Sequence, residues 1–255
     1  MKRKWFVNDD FFEKIDSEEK AYLLGFFLAD GSISLQSKCV DSWRLCVKNS
    51  TDDEEVIKLF QKYIIPDKPI FYKEGGYRNG SMHKPSCHVV WTSTKMKKDL
   101  EILYNITPRK TFDDKFVMNF NSFDLKYIKD FVRGVFDGDG CVSILHTNNR
   151  QSLSVQFYST SELFLNQIAN YLENLFPYIH RKITGRNRKN VTLYCLMFST
   201  ENQKTKFIQD LYTLFYKNTT CYLTRKKNKF IQFLRFKYRA NLEDCERFLS
   251  SVERS

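Results

Sequence analysis

The chain has 255 residues, 42% hydrophobic and 16% aromatic, which suits two packed units of roughly 100 to 150 residues and excludes extended disorder. A total of 41 Lys and Arg against 30 Asp and Glu gives a formal charge of +11, which favours a polyanionic partner, nucleic acid first, although such charge can also serve solubility alone. No run approaches the length of a membrane span, the basic start at Met1 to Lys4 gives way to Trp5, Phe6, Asp9 and Asp10 instead of an apolar signal core, and seven scattered cysteines with no CxxC pair argue against a secreted disulfide framework.

In chain order, apolar spacing predicts a helix at 17–30, opened by Asp16 as its cap with Glu19 three residues later and stopped by Gly31. Strands are expected near 31–38 and 43–49, a helix at 52–64, strands near 69–74 and 87–93, and a helix at 95–104. His83, Cys87 and His88 lie here without a fourth ligand nearby, so a strand with polar residues is expected in place of a zinc site. The series then repeats: a helix at 123–138, strands near 141–147 and 152–159, a helix at 161–175, strands near 178–184 and 190–199, and a helix at 201–216. The basic, aromatic stretch at 229–239 and the tail through Ser255 read as helical and are expected to pack on the second unit. The expected division is 1–118, 119–236 and a tail at 237–255.

The repeat is visible in the letters. AYLLGFFLADGSIS at 21–34 and FVRGVFDGDGCVSI at 131–144 are both apolar helices ending in Asp-Gly, and placing Asp30 on Asp139 sets an offset of 139 − 30 = 109. The same offset carries Ser50 and Thr51 onto Ser159 and Thr160, each pair in position to cap the following helix. In the second strand, however, Leu45 and Val47 fall one residue out of phase with Val155 and Phe157, and a one-residue slip would reverse the faces.

The first helix is apolar around most of its circumference, and Gly25 with Ala29, and Gly134 with Gly138, put small residues on one face of each motif helix, so that backbones can approach. Each helix ends on a carboxylate, Asp30 or Asp139, where the helix dipole is already negative. Breaking that rule twice at matching places suggests a positive occupant, and a hard divalent cation taking carboxylate, phosphate and water oxygens fits. An EF-hand does not, because Cys141 stands where an oxygen ligand belongs. Asp137 has no acidic counterpart, position 28 being Leu.

The segments LLGFFLADG (Leu23 to Gly31) and VRGVFDGDG (Val132 to Gly140) resemble the nine-residue motif of the LAGLIDADG homing endonucleases, and the resemblance covers both halves of the chain. It implies an α+β fold of two pseudo-twofold-related αββαββα units, packed through the motif helices into a DNA-binding saddle in a monomer. It further implies that the last acid of each motif, Asp30 and Asp139, holds catalytic metal, with Ala29 and Gly138 beside them in the metal set. Mg²⁺ is the implied ion, with Mn²⁺ or Ca²⁺ able to occupy the same place. ITPRKTF (Ile106 to Phe112) and LTRKKNKF (Leu223 to Phe230) resemble the family's late basic segments, which implies catalytic roles for Lys110 and Lys226, with Lys227 an equal rival to Lys226. Arg133 stands where a small residue is usual and is expected to point away from the helix seam.

The implied function is a metal-dependent double-strand break in a long DNA target by phosphodiester hydrolysis. The alternative on the same fold is an intron maturase or a non-cleaving nucleic-acid-binding protein, with intron RNA as partner. The DNA face is expected to carry Ser32, Ser34, Gln36, Lys38, Arg44, Lys73, Arg78, Gln156, Lys182, Arg186 and Arg188. With Met1 in place of a splicing nucleophile and Ser255 in place of Asn, a free-standing enzyme is expected, soluble and intracellular, from an organelle, a phage or a low-GC bacterium.

Overall fold

Ser17, not Asp16, opens the first helix: its hydroxyl accepts the Lys20 N–H at 3.3 Å, while Asp16 forms an i,i+4 ion pair with Lys20 at 2.9 Å. The computed structural model describes residues 3–36, 41–78, 80–147, 150–188, 190–200, 203–238 and 242–253. Helix α1 (Glu18–Asp30) buries Ala21 through Phe27 without interruption, as a helix apolar on all sides must. Then follow β1 (Gly31–Leu35), β2 (Trp43–Ser50), a 3-10 turn (Thr51–Asp53), α2 (Glu54–Ile64), β3 (Phe71–Lys73), β4 (Gly76–Arg78), β5 (Ser81–His83), β6 (Ser86–Thr92) and α3 (Thr94–Tyr104). The main sheet is antiparallel in the order β1-β2-β6-β3. Its inner face carries Leu45, Val47, Val89 and Trp91, the indole lying 6.1 Å from the Phe27 ring and 6.2 Å from that of Phe60. Strands β4 and β5 form a separate hairpin that the sequence reading had merged into a loop.

The series repeats as α4 (Ile128–Asp139), β7 (Cys141–Thr147), β8 (Arg150–Ser159), α5 (Glu162–Leu175), β9 (Ile179–Arg188), β10 (Val191–Thr200) and α6 (Lys204–Tyr216), followed by α7 (Thr224–Lys237) and α8 (Leu242–Glu253). The second sheet runs β7-β8-β10-β9, the same order as the first. Phe136 of α4 packs on Phe157 of β8, Phe215 of α6 and Phe230 of α7 at 5.3, 5.4 and 6.2 Å. The chain is thus an α+β protein of two repeated αββαββα units. Among the described residues no helix is long and apolar enough to cross a membrane.

Strand pairing accounts for the phase conflict. Ser32 pairs with Cys46 and Cys141 with Gln156, so the first strands differ by 141 − 32 = 109 and the second strands by 156 − 46 = 110. Between equivalent paired positions the second hairpin is one residue longer, 156 − 141 = 15 against 46 − 32 = 14, and the faces agree. The extra residue also moves the α5 cap: Ser161, not Ser159 or Thr160, accepts the Phe164 N–H at 3.2 Å, while Ser50 caps its 3-10 turn as expected. Ser161 is buried and donates to the Phe116 carbonyl at 2.6 Å. Ser161→Ala is therefore expected to cost about 1–2 kcal/mol in urea unfolding and Ser159→Ala less than about 0.5 kcal/mol. Equal costs would put the cap elsewhere.

Internal contacts divide the chain into one unit of Met1–Lys110 with Met118–Gly134 and another of Thr111–Val117 with Val135–Ser255. The division falls inside α4 rather than at 118/119, and 237–255 goes with the second unit, where α8 packs on α6 and α7.

Within the first unit, a Cβ on Gly134 would lie 2.1 Å from the Tyr22 carbonyl oxygen, so α4 meets α1 backbone to backbone there. Arg133 does not point away from this seam. It is fully buried, with Nη1 donating to Asp130 at 2.8 Å, Nη2 to Glu18 at 3.0 Å, and the guanidinium 5.3 Å over the Tyr22 ring. The guanidinium is long enough to reach the first turn of α1 and find two carboxylates, which solvent at the rim could not match.

Gly31 caps the C-terminus of α1, as expected, its N–H donating to the Phe27 carbonyl. Its backbone is extended (φ −75°), but a Cβ would sit 2.5 Å from the Phe27 ring, and Gly140 meets Phe136 in the same way at 2.4 Å.

Candidate active site

The last four carbonyls of a helix lack partners within it. At the end of α1 two of them are taken by Lys110, whose ammonium donates to Leu28 O and, at 3.0 Å, to Ala29 O. Lys110 opens a 3-10 turn (Lys110–Phe112). Asp30, the last residue of α1, is half-buried and accepts from Asn49 Nδ2 at 3.2 Å. Asn49 continues the inward phase of Leu45 and Val47 on β2, and a polar residue in a core phase was the available signal for a role the sequence reading missed.

The second unit repeats the device with more donors. Lys226, in the first turn of α7, is buried and donates to Phe136 O, to Asp137 O at 2.8 Å and to Gly140 O at 2.7 Å, with its ammonium 4.9 Å from the Phe136 ring centre. Lys229, one turn on, donates to Val142 O at 2.9 Å. Lys227 points elsewhere, pairing with Glu253 at 3.1 Å over the Tyr222 ring. Of the two rivals, Lys226 is the one brought to the end of α4. Asp139 ends α4 exposed, and Gly138 precedes it in the last turn. Asp137 is fully buried and accepts the Leu223 N–H at 2.8 Å. Because Leu223 immediately precedes α7, Asp137 ties down the segment that carries Lys226.

These are hard oxygen donors: a carboxylate and main-chain carbonyls that share the outward direction of a helix end. Ala29 O keeps a second lone pair after accepting from Lys110. No group of three His, Cys, Asp or Glu suited to a metal occurs among the described residues. Cys87 and His88 are successive residues of β6, so the zinc set considered for this stretch points to opposite sheet faces.

Strand pairing also assigns the outer sheet faces. In the first unit Ser32, Ser34 and Arg44 share one face with Cys46, Lys48, Ser86, His88, Val90, Thr92, Phe71 and Lys73. Gln36 follows β1, exposed, and accepts from the Ser42 hydroxyl at 2.9 Å. Lys38 lies outside the described residues, as does the side chain of Arg78. The Arg78 backbone, between the strands expected at 69–74 and 87–93, belongs to the β4–β5 hairpin. In the second unit Gln156, Lys182, Arg186 and Arg188 share a face with Ser143, Ser154, Tyr158, His180, Thr184, Leu193, Cys195 and Met197. No Asp or Glu occurs among the described strand residues that pairing places on either face.

Lys48 and His88 were missed, although Lys48 repeats the phase of Arg44 four residues on. Burial, followed by the charges of Lys48, Arg44 and Lys68, holds the His88 imidazole below its usual pKa. Burial pushes the Tyr158 phenol up to about 12, and its hydroxyl donates to Gln156 Oε1.

Residues 126–212 match a family model described as a LAGLIDADG-like domain. Among solved structures, the homing endonuclease I-WcaI bound to its DNA recognition sequence is similar over 87% of this chain and 90% of its own, at 15% identity and a TM-score of 0.52. The LAGLIDADG homing endonuclease I-GzeII, in complex with a DNA target, aligns over 91% and 96% at 10% identity and a TM-score of 0.48. A variant of I-DmoI with nicked target DNA and manganese aligns over 80% and 98% at 14% and 0.49. Comparison with curated proteins finds no match. Residues 126–212, which run from the end of the first unit into the second, are similar to a LAGLIDADG-like domain, and the chain shares the fold of I-WcaI.

Proposed function

We propose that this chain, with its LAGLIDADG-like domain on a homing-endonuclease fold, is a site-specific DNA endonuclease that makes a metal-dependent double-strand break. The observation that carries the proposal is that the described strand residues on the two sheet faces include no carboxylate, in a chain that has 30 of them. Such faces are built for a polyanion, and their exposed Arg and Lys side chains suit phosphates and guanine edges. DNA in complex with I-WcaI and with I-GzeII supports duplex DNA as that polyanion.

Asp30 and Asp139 would each hold a divalent cation, Mg²⁺ or in its place Mn²⁺ or Ca²⁺, with the carbonyl of Ala29 or of Gly138 beside it and the remaining ligands from phosphate and water. Bound there, the cation supplies Lewis acidity to a phosphate oxygen and lowers the pKa of its water. Lys110 and Lys226 neutralise the carbonyl ends of α1 and α4, so that an anionic phosphate can approach carboxylate-bearing helix ends that would otherwise repel it. Through Leu223, Asp137 fixes the start of the helix that delivers Lys226. Arg44, Lys48, Lys73, Lys182, Arg186 and Arg188 bind and orient the duplex.

Six phosphate contacts predict that affinity for a duplex falls about thousandfold between roughly 50 and 200 mM salt. Selecting tight binders from randomised duplexes in Ca²⁺, then titrating salt and adding Mg²⁺, tests the proposal. One enriched sequence, a steep salt dependence and cutting in Mg²⁺ are expected. A flat salt response, or tighter binding to double-stranded RNA of the same sequence, would overturn it.

A further inference from the structure

His88 lies among cations. Lys48 is its direct cross-strand partner on β2, and Arg44 stands two same-face positions further along that strand. On the other side Phe71 of β3 is its direct partner, with Lys73 the next residue of that strand on the same face. Lys68, ahead of β3, anchors its ammonium on the Val90 carbonyl at 2.6 Å and lies 5.7 Å from the Phe71 ring centre. No carboxylate shares this strand face. The imidazole stacks on Phe71 at 5.4 Å and 21° between planes, which fixes its orientation. Its Nδ1 is buried, so contact with a ligand falls to the Nε2 edge.

We propose that His88 is a phosphate-contacting residue of the first unit that takes up a proton when duplex DNA binds. The inference rests on the DNA-binding reading above. Burial and three neighbouring cations keep the imidazole neutral in the free protein at neutral pH. A phosphate seated among Lys48, Arg44 and Lys68 cancels that repulsion and accepts a hydrogen bond from Nε2–H, so the bound form has the higher pKa. Affinity is then flat where His88 is neutral in both forms, rises as pH falls through the pKa of the complex, and levels off once the free protein is also protonated. The gain therefore develops at and below about pH 6.5, the ordinary histidine value.

The test is the affinity of the full chain for a random-sequence duplex of about 30 base pairs at fixed ionic strength in EDTA, from about pH 8 to about pH 5.5. The wild type is expected to tighten about tenfold and His88→Asn less than about threefold, with the two equal at the alkaline end. A His88→Asn curve that overlays the wild type overturns the inference. So does a His88 resonance in the wild-type protein whose titration midpoint does not rise on adding duplex, a measurement that needs no variant. Absence of duplex binding at every pH is a different failure and removes the DNA reading itself.

Discussion

Replacing Asp30 and Asp139 together by Asn is expected to lower DNA cleavage at least about thousandfold while leaving duplex affinity within about threefold. Asn keeps the shape of each side chain and removes the charge that a cation needs. The fold is not at risk, because both acids end helices where the dipole already opposes negative charge, and neutralising them favours the helices by a few tenths to about 1 kcal/mol each. A lost activity thus reads as lost chemistry, provided that urea midpoints of the variant match or exceed those of the parent. Single-turnover cleavage and gel-shift affinity measured on one selected duplex separate the two effects. Cleavage retained within about tenfold would remove both acids from the reaction.

Arg133→Met is expected to destabilise the first unit by about 3–5 kcal/mol, a large share of the total stability of a domain. Methionine fills much of the same volume but leaves Asp130 buried beside Glu18 with no guanidinium between them. Burial already pushes the Asp130 pKa up even with Arg133 present. A carboxyl with a raised folded-state pKa adds stability while it is protonated and loses it as pH rises, so the penalty of the substitution should grow from about pH 4 to about pH 7. Asp130→Asn in the Arg133→Met background should recover part of the loss at neutral pH. Urea unfolding of the three proteins at the two pH values decides the matter. A loss below about 1 kcal/mol would mean that the buried pair is energetically neutral.

The helices and the repeat were legible because α1 and α4 both carry apolar segments that end in the same Asp-Gly, a pattern local to a dozen residues. The strand faces were legible in the same way, by alternation, and the second hairpin's span, one residue longer between paired positions, accounts for the one conflict. What stayed hidden depends on distant partners. Asp16 and Ser17 are adjacent and both able to cap, and only the placement of the first turn selects Ser17. Arg133 was expected to avoid the helix seam because its partner Glu18 lies 115 residues away in the sequence. The Asp137 carboxylate finds its partner 86 residues on, so a buried tether looked like an unmatched acid. Lys226 and Lys227 could not be told apart until the start of α7 was fixed, since one residue turns a helix by about 100°. The β4–β5 hairpin turns on Gly80, with φ of +78°, in a polar stretch with no alternation to read.

The central claim, metal-dependent cutting of DNA, is tested most directly by mapping the ends that the full chain produces in a library of randomised duplexes, with Mg²⁺ and with EDTA. The account predicts ends on both strands, a few bases apart, at one enriched sequence in Mg²⁺, and none in EDTA or with the Asp30→Asn, Asp139→Asn protein. Ends that persist in EDTA, or no enriched end in Mg²⁺, would contradict it.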